Sequence, residues 1–129
     1  MSHEIEQLLA RGREELRAAQ ALLDAGFPSQ ALSRAYLAAF DAASAALTSV
    51  GEQPQTRTGV VSAFGRRIVS EGGLDHEVGR NLRRLFDDRD YVDYGLGEAP
   101  PEQARSAISD AGLLLEATLQ WIERRSAAA

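Results

Sequence analysis

Between Ala31 and Ala46 the chain carries eight alanines, and this stretch constrains the fold more than any other. Leu32, Ala35, Tyr36, Ala39, Phe40, Ala43, Leu47 and Val50 recur at helical spacing on one face. Alanine is the strongest helix former, and its methyl side chain lets a neighbouring helix approach closely. The pattern predicts a long helix from Pro28 to about Val50 at the centre of a helical bundle. Pro28 suits the first turn and Gly51 the stop.

The flanking segments follow the same period. Ile5, Leu8, Leu9, Leu16, Ala19 and Leu23 form one stripe, predicting a helix from Ser2 to about Ala25 that Gly26 ends. After a loop around Pro54, Thr58 is read as the cap of a third helix carrying Val60, Val61, Phe64, Ile68 and Val69, closed by Gly72-Gly73. Asp75 caps a fourth, with Val78, Leu82, Leu85 and Phe86 inward and Glu77 in its first turn. Tyr94 to Pro101 reads as a loop. Pro101 then opens a last helix with Ala104, Ile108, Ala111, Leu115, Leu119 and Ile122 on its stripe, Trp121 beside it, and a frayed tail from Ser126. The expectation is one all-α domain over residues 1–129, an up-and-down bundle of about five helices with its core in residues 5–122.

Composition removes several chemistries. There is no cysteine, hence no disulfide, thiolate metal site or cysteine nucleophile. All 14 basic residues are arginine, which removes the P-loop lysine and Schiff-base catalysis. No Glu-x-x-His pair, zinc spacing, glycine-rich phosphate loop or Gly-x-Ser-x-Gly elbow occurs, so neither a metal nor another cofactor is expected. A net charge of −5 argues against a broad nucleic-acid surface, though not against a local arginine patch. No apolar run is long enough to span a bilayer, and Met1 to Glu4 lacks the basic start of a signal peptide, so a cytoplasmic location is expected.

The segment Arg80 to Tyr94 carries the chemistry. Arg89 lies three, four and seven residues after Phe86, Leu85 and Leu82, so a helix aims its guanidinium along the apolar side. An arginine there needs a carboxylate, a phosphate or a helix end, and Asp87, Asp88, Asp90 and Asp93 surround it in sequence. A structural ion pair and an anion-binding site are both open readings. Arg80, Arg83 and Arg84, with Arg66 and Arg67, are candidate phosphate contacts, or else partners of Glu77, Asp87 and Asp88 on a solvated face.

Three stretches resemble one family in the same order. Arg34-Ala35-Tyr36-Leu37-Ala38-Ala39-Phe40 is similar to the Arg-Ala-Tyr-Tyr-Ala-x-Phe signature of HEPN proteins, in particular their small single-domain branch (UPF0332). Thr56-Arg57-Thr58-Gly59-Val60-Val61-Ser62-Ala63-Phe64 resembles that branch's Thr-His-x-Gly-Val-x-x-x-Phe stretch, and Arg89-Asp90-Tyr91-Val92-Asp93-Tyr94 its Arg-x-x-x-Asp-Tyr element. The resemblance implies a dimeric helical bundle from a prokaryotic toxin–antitoxin or defence module, partnered by a small nucleotidyltransferase, with RNA or a nucleotide as ligand. Many such proteins are metal-independent RNases whose catalytic element is Arg, a polar residue, spacers and His.

On this chain the resemblance puts Arg89 at the arginine position, Asp90 at the polar one and Tyr94 where the His stands. Tyr94 departs from the pattern, since a phenol with a pKa near ~10 is only about one part in a thousand ionised at pH 7. The two histidines, His3 and His76, lie far along the chain from Arg89 and read as surface residues. Leu37, Asp41 and Arg57 also depart from the pattern, at positions where Tyr, His and His are usual. Tyr36 and Phe40 read as core. Tyr91 and Tyr94 are candidate acceptors of AMP from the nucleotidyltransferase. The alternatives are a catalytically silent interaction or nucleotide-binding subunit, and an RNase using Tyr94.

Overall fold

The computed structural model describes residues 1–95 and 97–128. Ser2 opens the first helix, α1 (His3–Asp24), by accepting a hydrogen bond from the Ile5 amide at 3.2 Å, while Glu4 and Glu6 offset the amino-terminal dipole. Gly26, at φ +90°, turns the chain out of α1 in a conformation that a residue with Cβ adopts only under strain. Pro28 then starts α2 (Pro28–Ser49).

All eight alanines of α2 are fully buried, with Tyr36 and Leu47 beside them. The helix packs against every other helical element among the described residues, as its small side chains allow. On α1, Gly12 serves the same close approach: a Cβ there would lie 2.8 Å from Leu115 Cδ1 and 3.3 Å from the Ala38 carbonyl oxygen.

The third helix, α3 (Arg57–Ala63), begins earlier than predicted. Thr56, not Thr58, is its cap, and its Oγ1 accepts from the Gly59 amide at 2.9 Å. Beyond Ala63 the chain widens into a π-helical segment, Phe64–Ser70, which the sequence pattern does not announce. The wider turn keeps Phe64, Ile68 and Val69 all buried. Gly72 follows, tucked under Trp121, whose indole N–H donates to the Gly72 carbonyl at 2.8 Å.

Asp75 caps α4 (His76–Asp93) through the Glu77 amide at 2.7 Å. Gly95, at φ +69°, ends it. Leu96 lies outside the described residues of the following loop. The Ala99 amide donates to Ser29 Oγ at 3.0 Å, which pins that loop to the first turn of α2. The last helix, α5 (Pro101–Ala128), stays helical past Ser126, where the sequence predicts fraying; Ala129 lies outside the described residues. The architecture is an all-α bundle of five helices among the described residues, in agreement with the sequence reading. None of these helices is long and apolar enough to cross a membrane.

Candidate functional site

The site forms where the last turns of α4 lie against the first turns of α2. Tyr36 is 1% exposed, and its ring meets Phe40 at 5.9 Å and Phe86 edge-on at 6.0 Å between centroids. Arg89 follows one turn after Phe86 on α4, so its guanidinium carbon comes to rest 4.9 Å from the centre of the Tyr36 ring. The arginine side chain is 14% exposed. The expectation of a guanidinium directed along the apolar seam is therefore met.

Its partner is Asp93, one turn on in the same helix, not Asp90. Arg89 Nε donates to Asp93 Oδ2 at 2.9 Å. The fit is incomplete, because Nη1 is buried and has no hydrogen-bond partner among the described residues. The hydroxyl of Tyr36 is also buried and without a partner among the described residues. Most buried polar groups in folded proteins are hydrogen-bonded, and two neighbouring donors left over on one cation–π pair are unusual. Burial raises the Tyr36 pKa above the ordinary phenol value, against the opposing pull of Arg57 and Arg89, so the group stays a neutral donor. Arg57, at the start of α3, thus acts on this phenol through its charge, although the sequence offered it only as a departure from a family pattern.

Asp93 faces two ways. Its Oδ1 receives a long, 3.4 Å hydrogen bond from Ser33 Oγ, and the residue lines a cavity of about 560 Å³ with Ser29, Gln30, Ser33, Arg34 and Glu98. Arg34 is held by Glu15 of α1 at 3.2 Å. The carboxylate therefore stands between the cavity and Arg89. Asp93 is one of the four aspartates that surround Arg89 in sequence, whereas nothing in the apolar pattern points to Ser33.

The other predicted residues are dispersed. Asp90 is exposed and makes no side-chain hydrogen bond among the described residues. Tyr94 is 78% exposed and Tyr91 52% exposed, on the outer side of the same helix end. Of the candidate phosphate contacts, Arg80 is held by Glu77 at 2.6 Å, and Arg84 turns to α5, where it meets Asp110 at 3.1 Å. Arg83 is exposed and makes no ion pair among the described residues; Asp87 does not take it. Arg66 and Arg67 both face Glu52. His3 and His76 are on the surface. These arginines do not converge on one patch with Arg89.

A second arginine–aspartate pair escaped the sequence reading. Asp41, 5% exposed among the alanines of α2, accepts from Arg11 of α1 through both oxygens, at 2.8 and 3.1 Å. The signal available was a carboxylate inside a run of buried alanines. The hydrogen bond and charge of Asp41 raise the Arg11 pKa above its ordinary value.

Comparison with known proteins agrees with this architecture. The family model described as HEPN domain matches residues 5–122. A Thermotoga maritima protein named UPF0332 protein is 35% identical over 120 residues, covering 92% of this chain and 91% of its own. A Methanocaldococcus jannaschii protein named "Putative toxin MJ0605" is 31% identical over 113 residues, 88% of this chain and 84% of its own. A match across nearly the whole bundle, with relatives of similar length, leaves one conclusion: the chain belongs to the HEPN domain family.

Proposed function

We propose that this protein is the HEPN component of a prokaryotic toxin–antitoxin or defence module, acting as a homodimer with a nucleotidyltransferase partner through Arg89. The observation that carries this reading is the incompletely satisfied guanidinium of Arg89, held against Tyr36 with Nη1 unpartnered. A cation serving only the fold would be expected to have its donors matched inside the bundle. Two relatives bearing toxin names, both from Methanocaldococcus jannaschii, support the biological setting.

The exposed phenols suit the partner chemistry. Tyr91 and Tyr94 present their rings at the end of α4, two and five residues after Arg89 in sequence. Attack of a phenol oxygen on the α-phosphorus of ATP would attach AMP, release pyrophosphate and pass the phenolic proton to a base on the partner. Both tyrosines can serve as the acceptor. With Tyr94 in the position of the usual His, the motif carries no imidazole to act as general base.

The decisive experiment is co-expression with the product of the neighbouring gene, which this reading expects to be a nucleotidyltransferase. The two proteins should co-purify, and intact-mass analysis should show whole AMP units that disappear in the Tyr91→Phe/Tyr94→Phe double variant. Expression of the protein alone should slow growth, and Arg89→Ala should relieve this. Absence of any stable partner, together with harmless expression, would remove the proposal. A metal-free RNA cleavage assay examines the RNase alternative, in which Tyr94→Phe should abolish cutting. Light scattering showing only monomer at micromolar concentration would contradict the homodimer.

A further inference from the structure

On the first two turns of α4, a groove of about 310 Å³ runs between that helix and the π-helical segment. Two glycines give it its shape. Gly79 lets α4 lie against Val69, since a Cβ there would stand 3.0 Å from Val69 Cγ2. Gly65, on the facing segment, has no such duty: its φ is not positive, and a Cβ would meet nothing within 4 Å. Glycine weakens a helix relative to alanine, so the fold alone would favour a methyl group at this position. What the missing methyl provides is open space beside the buried side chains of Val61 and Val69. The π-helical turn adds a donor. Its i→i+5 pattern brings Ser70 round to the side of Gly65, whereas an α-helix would turn Ser70 well away.

The charge of this groove runs against that of the acidic chain around it. His76, Arg80 and Arg83 follow one another at i, i+4 and i+7 along its rim, about 10 Å in all. Arg80 shares its charge with Glu77 at 2.6 Å, but Arg83 makes no ion pair among the described residues. No carboxylate stands among the described residues of the wall. By contrast, the cavity beside Asp93 includes Glu98, and the one along α5 includes Asp88, Glu102 and Asp110. We propose that the groove docks an extended acidic segment of a partner protein. Carboxylates of that segment meet Arg80 and Arg83, and an aliphatic side chain between them lies over Val61 and Val69. The rim is long enough for two side chains on one face of an extended strand, which stand about 7 Å apart. The floor decides between a peptide and a nucleic-acid strand. Single strands are held by aromatic rings on which bases stack, and this groove offers valines and no aromatic side chain among its described residues. The inference concerns the start of α4 and does not depend on the role of Arg89.

The test is fluorescence anisotropy of a short dye-labelled peptide, with leucine at its centre and aspartates and glutamates on both sides, titrated with the purified full chain. Binding should weaken as salt is raised, and a peptide with serine for the central leucine should bind about tenfold more weakly. Arg83→Glu should weaken binding about tenfold or more. Arg105→Glu, the same charge change at an exposed position on α5, should alter affinity less than about twofold. Gly65→Leu should fill the floor and weaken binding about tenfold. Gly65→Ala should melt no lower than the unaltered chain yet bind about two- to threefold more weakly, an opposition that a purely structural glycine would not produce.

Unlabelled peptide, a short oligoadenylate RNA and inorganic phosphate serve as competitors. Displacement by the peptide at concentrations where the other two have no effect supports the proposal. Displacement by RNA or phosphate at equal or lower concentration would overturn it, and would make the groove a phosphate site. So would equal affinities of Arg83→Glu and Arg105→Glu, no binding in the high micromolar range, or a Gly65→Ala variant that melts lower and binds unchanged. Should Gly65→Leu fail to fold, Arg83→Glu and Gly65→Ala alter exposed or open positions and still decide the matter. None of these results bears on co-purification or AMP attachment, which test the broader reading separately.

Discussion

Two arginine–aspartate pairs in this bundle use the same side chains for opposite ends. Arg11 and Asp41 join α1 to α2 with both carboxylate oxygens engaged, and the buried partner is the acid. Arg89 and Asp93 lie in one helix with a single bond between them, and the buried partner is the base. In the first pair the buried charge is fully answered, and the exposed arginine can hydrate. In the second, the acid is half exposed and the buried cation keeps a donor in reserve. Complete satisfaction marks a clamp, and incomplete satisfaction marks a site that waits for another group.

The sharpest way to break this contrast is Arg11→Met. It leaves the Asp41 carboxylate buried without a counter-charge, and stability should fall by about 3 kcal/mol, the low end for a broken buried pair because Arg11 itself is mostly exposed. Denaturant unfolding would read the loss directly, with the midpoint lowered and the slope unchanged. Arg89→Met should cost less than about 1 kcal/mol, since Asp93 is free to hydrate and methionine fills the seam beside Tyr36. A loss as large as that of Arg11→Met would mean that Arg89 is a structural arginine after all.

The aspartates should rank the same way. Asp41→Asn keeps the shape but weakens a bidentate charged pair, and a loss of about 2 kcal/mol is expected. Asp93→Asn should change stability by no more than about 0.5 kcal/mol, as most exposed pairs do. Equal losses at the two positions, measured in the same denaturant series, would erase the distinction between clamp and site.

These comparisons also explain what the sequence could and could not disclose. Apolar stripes gave the five helices, because burial of one helical face leaves a period that survives in the sequence. The shift of the α3 cap from Thr58 to Thr56 was not legible, since both residues are competent caps and only the loop geometry decides between them. Nor was the π-helical turn, whose extra residue interrupts the period used to read it. At the site, Arg89 was legible because its place on the stripe conflicts with its charge. Tyr36 was not, because an aromatic on an apolar face looks satisfied; its hydroxyl becomes anomalous only once α3 and α4 are seen to bring charges and no acceptor to it. Asp41 carried the same conflict as Arg89, a charge amid buried alanines, and the same reasoning applied to α2 would have found it.

The smallest effect belongs to Tyr36 and lies at high pH. Burial raises its pKa in the folded chain above that of the unfolded one. The native state therefore holds this proton more tightly, and the resulting contribution to stability is complete below the unfolded phenol value near ~10 and fades as pH climbs through the folded value. The attraction of Arg57 and Arg89 opposes this rise. Tyr36→Phe lacks the ionisable group, so its stability should decline less steeply above about pH 10 than that of the unaltered chain, while the two match near pH 7. Arg89→Met should steepen the decline, because the phenolate loses one of the cations that ease its formation. Parallel stability curves for all three proteins up to about pH 11 would show that Tyr36 and Arg89 are not electrostatically joined, and Arg89 would then resemble the clamp at Arg11 more than the open half of a binding site.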